Sequence, residues 1–137
     1  MAANTTLRWL QDGHRFVSTD STGHSVALST PKENFGMKPS ELILSALAGC
    51  ASVDVVNILS KKRTPLSFLE VNVTADQDAD PPWTFRKIHV RFIVKGEGLT
   101  AKSVEQAIHL SEENYCSVAA TLRGVAEITT SCEILED

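Results

Sequence analysis

The sequence predicts an α+β fold in which antiparallel sheets surround one long apolar helix. Two patterns predict it: a run of apolar residues in the first half of the chain, and two segments of alternating polar and apolar residues that follow it. Short strand-like segments precede the run, and a second helical region and a closing strand end the chain. The resulting order, βββ-α-ββ-α-β, groups strands and helices separately, which is typical of α+β proteins. The length of 137 residues fits a single domain over 1–137.

Three short strands are predicted at the start of the chain, over 7–12, 14–20 and 25–30. Turn signals at Gly13 and Gly23 separate them, since glycine adopts the backbone conformations that tight turns require. A connector over 31–39 follows, and it contains Gly36.

The long helix is predicted over 40–61. Ser40 is a suitable N-cap, Glu41 places a negative charge in the first turn, and Pro65 prevents continuation. Apolar residues cover every side of this helix, so it must be buried in a large core, in a subunit interface or in a membrane. Asp54 lies within the run and would cost about 3 kcal/mol in hydrocarbon. We therefore expect no membrane span, and an oligomer whose subunits share the helix.

The second half of the chain is predicted to begin with two half-buried antiparallel strands, over 67–75 and 84–95, whose apolar and polar residues alternate. An amphipathic helix over 100–114 and a short helix over 117–123 come next, with Ser117 as a candidate N-cap of the short helix. A last strand is predicted over 125–135.

The amino-acid composition indicates which partners, and which cell compartment, to expect for this protein. The chain has 13 Lys and Arg against 17 Asp and Glu, so it lacks the basic field that nucleic acids or anionic membranes attract. Three cysteines are too few for a disulfide scaffold, and the N-terminus shows no secretory signal pattern. We therefore expect a cytoplasmic protein with reduced thiols and neither nucleic acid nor membrane as a partner.

The three cysteines are the candidate reactive residues. Cys132 lies in the last strand on its apolar side, which indicates a core residue. Cys50 follows Gly49 in the long helix and precedes Asp54 by one turn, so its surroundings are not purely apolar. Cys116 directly precedes the short helix, where N–H donors favour the thiolate. The residues alone indicate a two-thiol redox site at Cys50 and Cys116. They leave open that Cys50 is a small core residue and that Cys116 is a linker residue packed there by chance.

Other kinds of site are not indicated by the spacing of the reactive residues. Cys50 and Cys116 are 66 positions apart, unlike the close pairs of zinc ribbons or thioredoxin-like proteins. The four histidines have no metal-ligand spacing, and the chain has no phosphate-binding glycine loop.

Two segments carry a resemblance to a known family. The sequence PSELILSALAGCASVDVVNIL at 39–59 resembles the central helix of the OsmC/Ohr family, the osmotically inducible and organic hydroperoxide resistance proteins. EENYCSV at 112–118 resembles the second cysteine motif of that family. The order of the elements agrees over nearly the whole chain, which looks most like the YhfA-like branch.

The resemblance implies an OsmC-like fold and an intertwined homodimer with two active sites at the subunit interface. It implies a thiol peroxidase that reduces lipophilic organic hydroperoxides, with Cys50 as the peroxidatic cysteine and Cys116 as the resolving one. The product would be a Cys50 sulfenate and then an intramolecular Cys50–Cys116 disulfide. No cofactor is implied beyond an external dithiol or lipoyl-type reductant. The alternative is an OsmC-like dimer that binds a small hydrophobic ligand with little or no turnover.

Two further site residues follow from the resemblance. Glu41 matches a glutamate that orients an arginine from the N-terminal region, for which Arg15 is our first candidate and Arg8 the second. Glu41 and Cys50 are nine residues apart, about 13.5 Å along one helix and roughly 180° around it. We therefore expect each Cys50 to meet Glu41 of the partner subunit.

The chain departs from the family pattern in two places. Ser117 stands after the second cysteine, where many members have proline. The Glu41–Cys50 spacing is one residue shorter than in the Ohr branch. Both departures concern the choice of substrate and the rate of peroxide reduction.

Overall fold

The structure is a computed structural model that describes residues 1–136 and divides into two compact units. The first unit is Met1–Ile43, and the second begins at Leu44. Both contain a three-stranded sheet, and the mixed α+β class predicted from the sequence is confirmed.

The first unit is an antiparallel sheet in the order β1-β2-β3, with β1 at Thr5–Trp9, β2 at Arg15–Asp20 and β3 at Ser25–Ser29. The prediction of a strand over 7–12 is wrong at its C-terminal end. The chain already turns at Gln11, whose φ is 61°, and at Gly13, whose φ is 52°. Both values lie in the left-handed region, which a strand does not use.

The connector that follows β3 packs directly on that strand. Met37 forms an isolated parallel bridge with Leu28, and the buried Ser29 Oγ accepts hydrogen bonds from the N–H groups of Phe35 and Gly36. A Cβ at Gly36 would lie 2.4 Å from the carbonyl carbon of Ala27. Glycine is therefore required where the connector crosses the strand.

The long helix, α1, runs without a break over Pro39–Lys61. It begins one residue before the predicted cap, Ser40, because proline suits the first helical position, where its missing N–H has no intrahelical partner. Beyond its end, Arg63 adopts a left-handed φ of 63° and the Thr64 N–H bonds to the Leu59 carbonyl.

One side of α1 packs within the second unit and another side is open. Leu47, Val55 and Leu59 are buried, whereas Val53 is 61% exposed and Val56 is 43% exposed. By length and composition alone, α1 is the one helix of the described chain that could cross a membrane. That test is also met by core helices, and the half-buried Asp54 of α1 is bonded within the second unit to Ser111.

The second unit continues with β4 (Phe68–Gln77), β5 (Phe85–Lys95), α2 (Ala101–Leu110), α3 (Ser117–Leu122) and β6 (Glu127–Ile134). Its sheet has the order β4-β5-β6. The predicted alternation is confirmed: Ile88, Val90, Phe92 and Val94 are buried along β5, and apolar residues of β4 pack against the same core.

The last strand corrects the prediction of purely antiparallel sheets. β4 and β5 are antiparallel, but β6 runs parallel to β5, with Ile88 opposite Ile128 and Phe92 opposite Cys132. The segment from α2 to α3 forms a crossover connection, which parallel neighbours require. Alternating polarity reports which face of a strand is buried and does not report the direction of its neighbour.

The core of the second unit lies between the sheet and its helices. Buried residues of α1 and β5 meet Val104, Ala107 and Ile108 of α2, together with Cys116 and Ala119. Cys116 is therefore part of this core, and Cys50 packs against it.

Candidate functional site

Two elements of the second unit bring the thiols of Cys50 and Cys116 together. Cys50 is on α1, and Cys116 directly follows a π-helical turn over Ser111–Tyr115, called here the π turn. The two thiols are within hydrogen-bonding contact, and neither is in a disulfide. The structure thus joins, within one chain, two cysteines whose spacing in sequence gave no geometric reason for a contact.

Hydrogen-bond donors surround the sulfur of Cys50. Burial by itself raises the pKa of this thiol, but four donors lower it: the Val118 N–H, the Cys116 S–H, and the hydroxyl and N–H of Ser117. Together the donors outweigh burial, so the pKa of Cys50 lies below its usual value. All four bonds favour the charged form, so they make the Cys50 thiol easier to ionise.

Cys116 has the opposite character. It is only 2% exposed, and burial, then its hydrogen bond to Cys50, raise its pKa to about 11. Its Sγ accepts a hydrogen bond of 3.4 Å from the Ala119 N–H and is the N-cap of α3. The predicted cap, Ser117, is instead the first residue of the helix, since Cys116 has the extended backbone that an N-cap needs.

The pair is therefore chemically unequal. The pKa of the Cys50 thiol is lowered, whereas the pKa of the Cys116 thiol, which donates to Cys50, is raised. On the core side, Cys116 borders a cavity of about 20 Å³ lined mostly by apolar residues. A space of that size holds no more than about one water molecule. A substrate must therefore reach Cys50 from another direction.

A second polar contact ties α1 to the π turn. Ser111 is fully buried, and its hydroxyl donates a hydrogen bond of 2.7 Å to Asp54 Oδ2. Asp54 lies one helical turn after Cys50, and the sequence showed only that the surroundings of Cys50 are partly polar. No sequence signal pointed to Ser111, because a serine in an amphipathic helix is usually exposed.

The charged residues that the resemblance assigned to the site belong to the first unit. Arg15 forms an ion pair of 3.0 Å with Asp12, and Glu41 forms one of 2.7 Å with Lys38. Arg8 is exposed on β1, opposite Val17. The structure thus shows where these side chains lie in their own unit, and their roles remain predictions. α1 is continuous across Glu41 and Cys50, so the two residues lie on one unbroken helix.

The third thiol is separate from this pair. Cys132 is half-buried on β6 and packs against the core, and burial, followed by the charge of Glu105, raises its pKa. Among residues 1–136 there is no group of three or more His, Cys, Asp or Glu side chains placed to hold a metal ion.

Comparisons with known proteins agree with this architecture. The family model described as OsmC-like protein matches residues 30–131. Protein YhfA of Escherichia coli strain K12 is 34% identical over 129 residues, which cover 94% of this chain and 96% of that relative.

Solved structures also superpose on this chain over nearly its whole length. A hypothetical protein from Aquifex aeolicus VF5 superposes with a TM-score of 0.88 at 28% identity, covering 100% of this chain and 99% of its own. The organic hydroperoxide resistance protein OhrB of Bacillus subtilis superposes with a TM-score of 0.65 at 17% identity, covering 97% of this chain and 98% of OhrB. With the family model matching more than half of the sequence, the chain belongs to the OsmC-like protein family.

Proposed function

We propose that this protein is a thiol peroxidase that reduces lipophilic organic hydroperoxides through Cys50 and Cys116. The observation that carries the proposal is the contact between a Cys50 thiol of lowered pKa and a neutral Cys116 thiol. This inequality suits a redox-active pair, because the thiolate is the attacking form and Cys50, whose pKa is lowered, forms it more readily than Cys116 does.

The first step is attack by the Cys50 thiolate on one peroxide oxygen. The O–O bond breaks, the other oxygen leaves with the alkyl group and takes a proton to become an alcohol, and Cys50 becomes a sulfenic acid. The four donors around the sulfur stabilise the thiolate before the attack.

The second step closes the disulfide. The Cys116 sulfur attacks the Cys50 sulfenic acid, the S–O bond breaks, and the hydroxyl leaves as water with the proton of Cys116. In total, two thiols and one hydroperoxide yield one disulfide, one alcohol and one water. Because the two thiols already touch, Cys50 is protected from further oxidation. A dithiol or lipoyl-type reductant in the cytoplasm would restore both thiols by exchange.

We propose that the working unit is a homodimer in which Glu41 and Arg15 of the partner complete each site. A guanidinium beside Cys50 would stabilise the thiolate and the charge that develops on the leaving oxygen. The open side of α1, with Val53 61% exposed, supports a second copy as its cover. OhrB is named for resistance to organic hydroperoxides, and its likeness to this chain establishes the fold.

The test is a thiol count after treating reduced protein with cumene hydroperoxide or tert-butyl hydroperoxide. We expect the wild type and the matched control Cys132→Ala each to lose two thiols per chain. Cys50→Ser should lose none at the same excess, with peroxide consumption reduced by about 10³-fold or more, as when a covalent nucleophile is removed. Wild-type protein that keeps all its thiols would overturn the proposal and favour a dimer that only binds a hydrophobic ligand.

A further inference from the structure

The π turn that presents Cys116 is held by a chain of hydrogen bonds that begins one helical turn from Cys50. The Asp54 carboxylate accepts from the Ser111 hydroxyl at 2.7 Å. The Ser111 carbonyl accepts from the Cys116 N–H at 2.8 Å. Asp54 on α1 is thus linked through a single residue to the backbone of the second cysteine.

Ser111 is well placed for this role. Its side chain and backbone are fully buried, and its N–H donates to the carbonyls of Ala107 and Ile108 as α2 ends. The helix widens from α to π geometry at this residue, and such widened turns are uncommon and often occur at functional sites. The hydroxyl of Ser111 is the point at which the turn is attached to α1.

We infer that Asp54 and Ser111 are positioning residues that hold Cys116 against Cys50. The inference rests on the proposed function for its biological meaning, and its geometry is independent of any peroxide. Without the bond between them, the π turn loses the hydrogen bond from Ser111 to α1, and the Cys116 sulfur is held less firmly relative to Cys50. The two thiols then close a disulfide less favourably, because their effective concentration falls.

The experiment measures the equilibrium between the reduced protein and the Cys50–Cys116 disulfide in buffers of reduced and oxidised glutathione. Oxidised glutathione accepts the two electrons and two protons of the protein thiols and becomes two molecules of reduced glutathione. Variants Asp54→Ala, Ser111→Ala and the double variant are compared in the Cys132→Ala background, so that only the two site thiols report.

We expect each single variant to lower the equilibrium constant for disulfide formation about tenfold, equivalent to about 30 mV. The double variant should show no further fall, since both changes remove the same hydrogen bond. Asp54→Asn keeps an acceptor oxygen and should stay within about threefold of the parent protein.

Thr100→Ala is the matched control for a loss of stability. It removes the bond of 3.1 Å from the Ser103 N–H to the Thr100 hydroxyl at the other end of α2. The control should lower the thermal midpoint and leave the glutathione equilibrium unchanged. If Asp54→Ala and Ser111→Ala behave in the same way, the two residues are merely structural and the inference is wrong.

The same measurements separate this inference from the proposed function. A parent protein that forms the disulfide with glutathione, loses it in the Asp54 and Ser111 variants, and yet does not consume hydroperoxide supports the positioning role and contradicts the peroxidase. A parent protein that consumes hydroperoxide, with an equilibrium constant unchanged in both variants, supports the peroxidase and contradicts the positioning role.

Discussion

At the scale of single residues, Ser117 gives the departure from the family pattern a physical meaning. Its hydroxyl and its N–H both donate to Cys50 and help to lower the pKa of that thiol. Proline, which the resemblance to the family leads us to expect here, has neither group. Serine at this position therefore supplies two donors to the Cys50 sulfur.

A first prediction follows for Ser117→Pro. We expect the pH dependence of Cys50 alkylation by iodoacetamide to move to higher pH, because two bonds that favour the thiolate are lost. Ser117→Ala, which keeps the N–H, should move it by a smaller amount in the same direction. Rates are read by mass spectrometry of the Cys50 peptide in the Cys132→Ala background. Superimposable profiles for all three proteins would show that Ser117 does not act on Cys50.

A second prediction concerns the raised pKa of Cys116 and its effect on the free energy of unfolding at alkaline pH. Burial and the bond to Cys50 raise the pKa of the folded thiol from 9.0 to about 11, so the unfolded chain releases this proton first. The contribution of Cys116 to the free energy of unfolding should therefore be constant below pH 9. It should fall by up to about 2–3 kcal/mol as the pH rises to 11.

The measurement for Cys116 is urea unfolding at several pH values between 8 and 11. Since the pKa of Cys132 is also raised, Cys132→Ala and Cys132→Ala/Cys116→Ala are compared. The double variant should lose less stability over this range than the single variant. If the free energy of unfolding falls equally with pH in both variants, the buried environment assigned to Cys116 is wrong.

At the scale of elements, the crossing of β3 by its connector depends on Gly36. A third prediction is that Gly36→Ala lowers the free energy of unfolding by about 1–3 kcal/mol, because its Cβ would overlap the backbone of Ala27, which cannot move aside. Gly124→Ala is the control, since no other described atom lies within 4 Å of a Cβ there. Equal urea midpoints for the two variants would contradict the packing at Gly36.

The short helix shows how an element's end depends on its neighbours. Cys116 caps α3 with its sulfur, and the residues just after it donate to Cys50. Serine is a far commoner cap than cysteine, which is why the sequence favoured Ser117. Cys116 takes the cap position instead, because its backbone is extended as an N-cap requires.

At the scale of the whole molecule, the exposed apolar side of α1 gives a fourth prediction. We expect the wild type to sediment as a dimer at micromolar concentration and Val53→Lys to shift it toward monomer, because a buried charge without a partner opposes association. Thr74→Lys, on the exposed side of β4, is the control and should remain dimeric. A wild type that sediments as a monomer would contradict the shared helix.

The sequence by itself determined the order of the elements, the buried faces of β4 and β5, the long helix and the membership of the OsmC-like family. Those features depend on polarity patterns and motifs that are local in the chain. Only the tertiary structure decided that β6 runs parallel to β5 and that Asp54 binds Ser111. The residues of each such contact are dozens of positions apart, and no local pattern records which distant partner a side chain will meet once the helices and the sheet have packed.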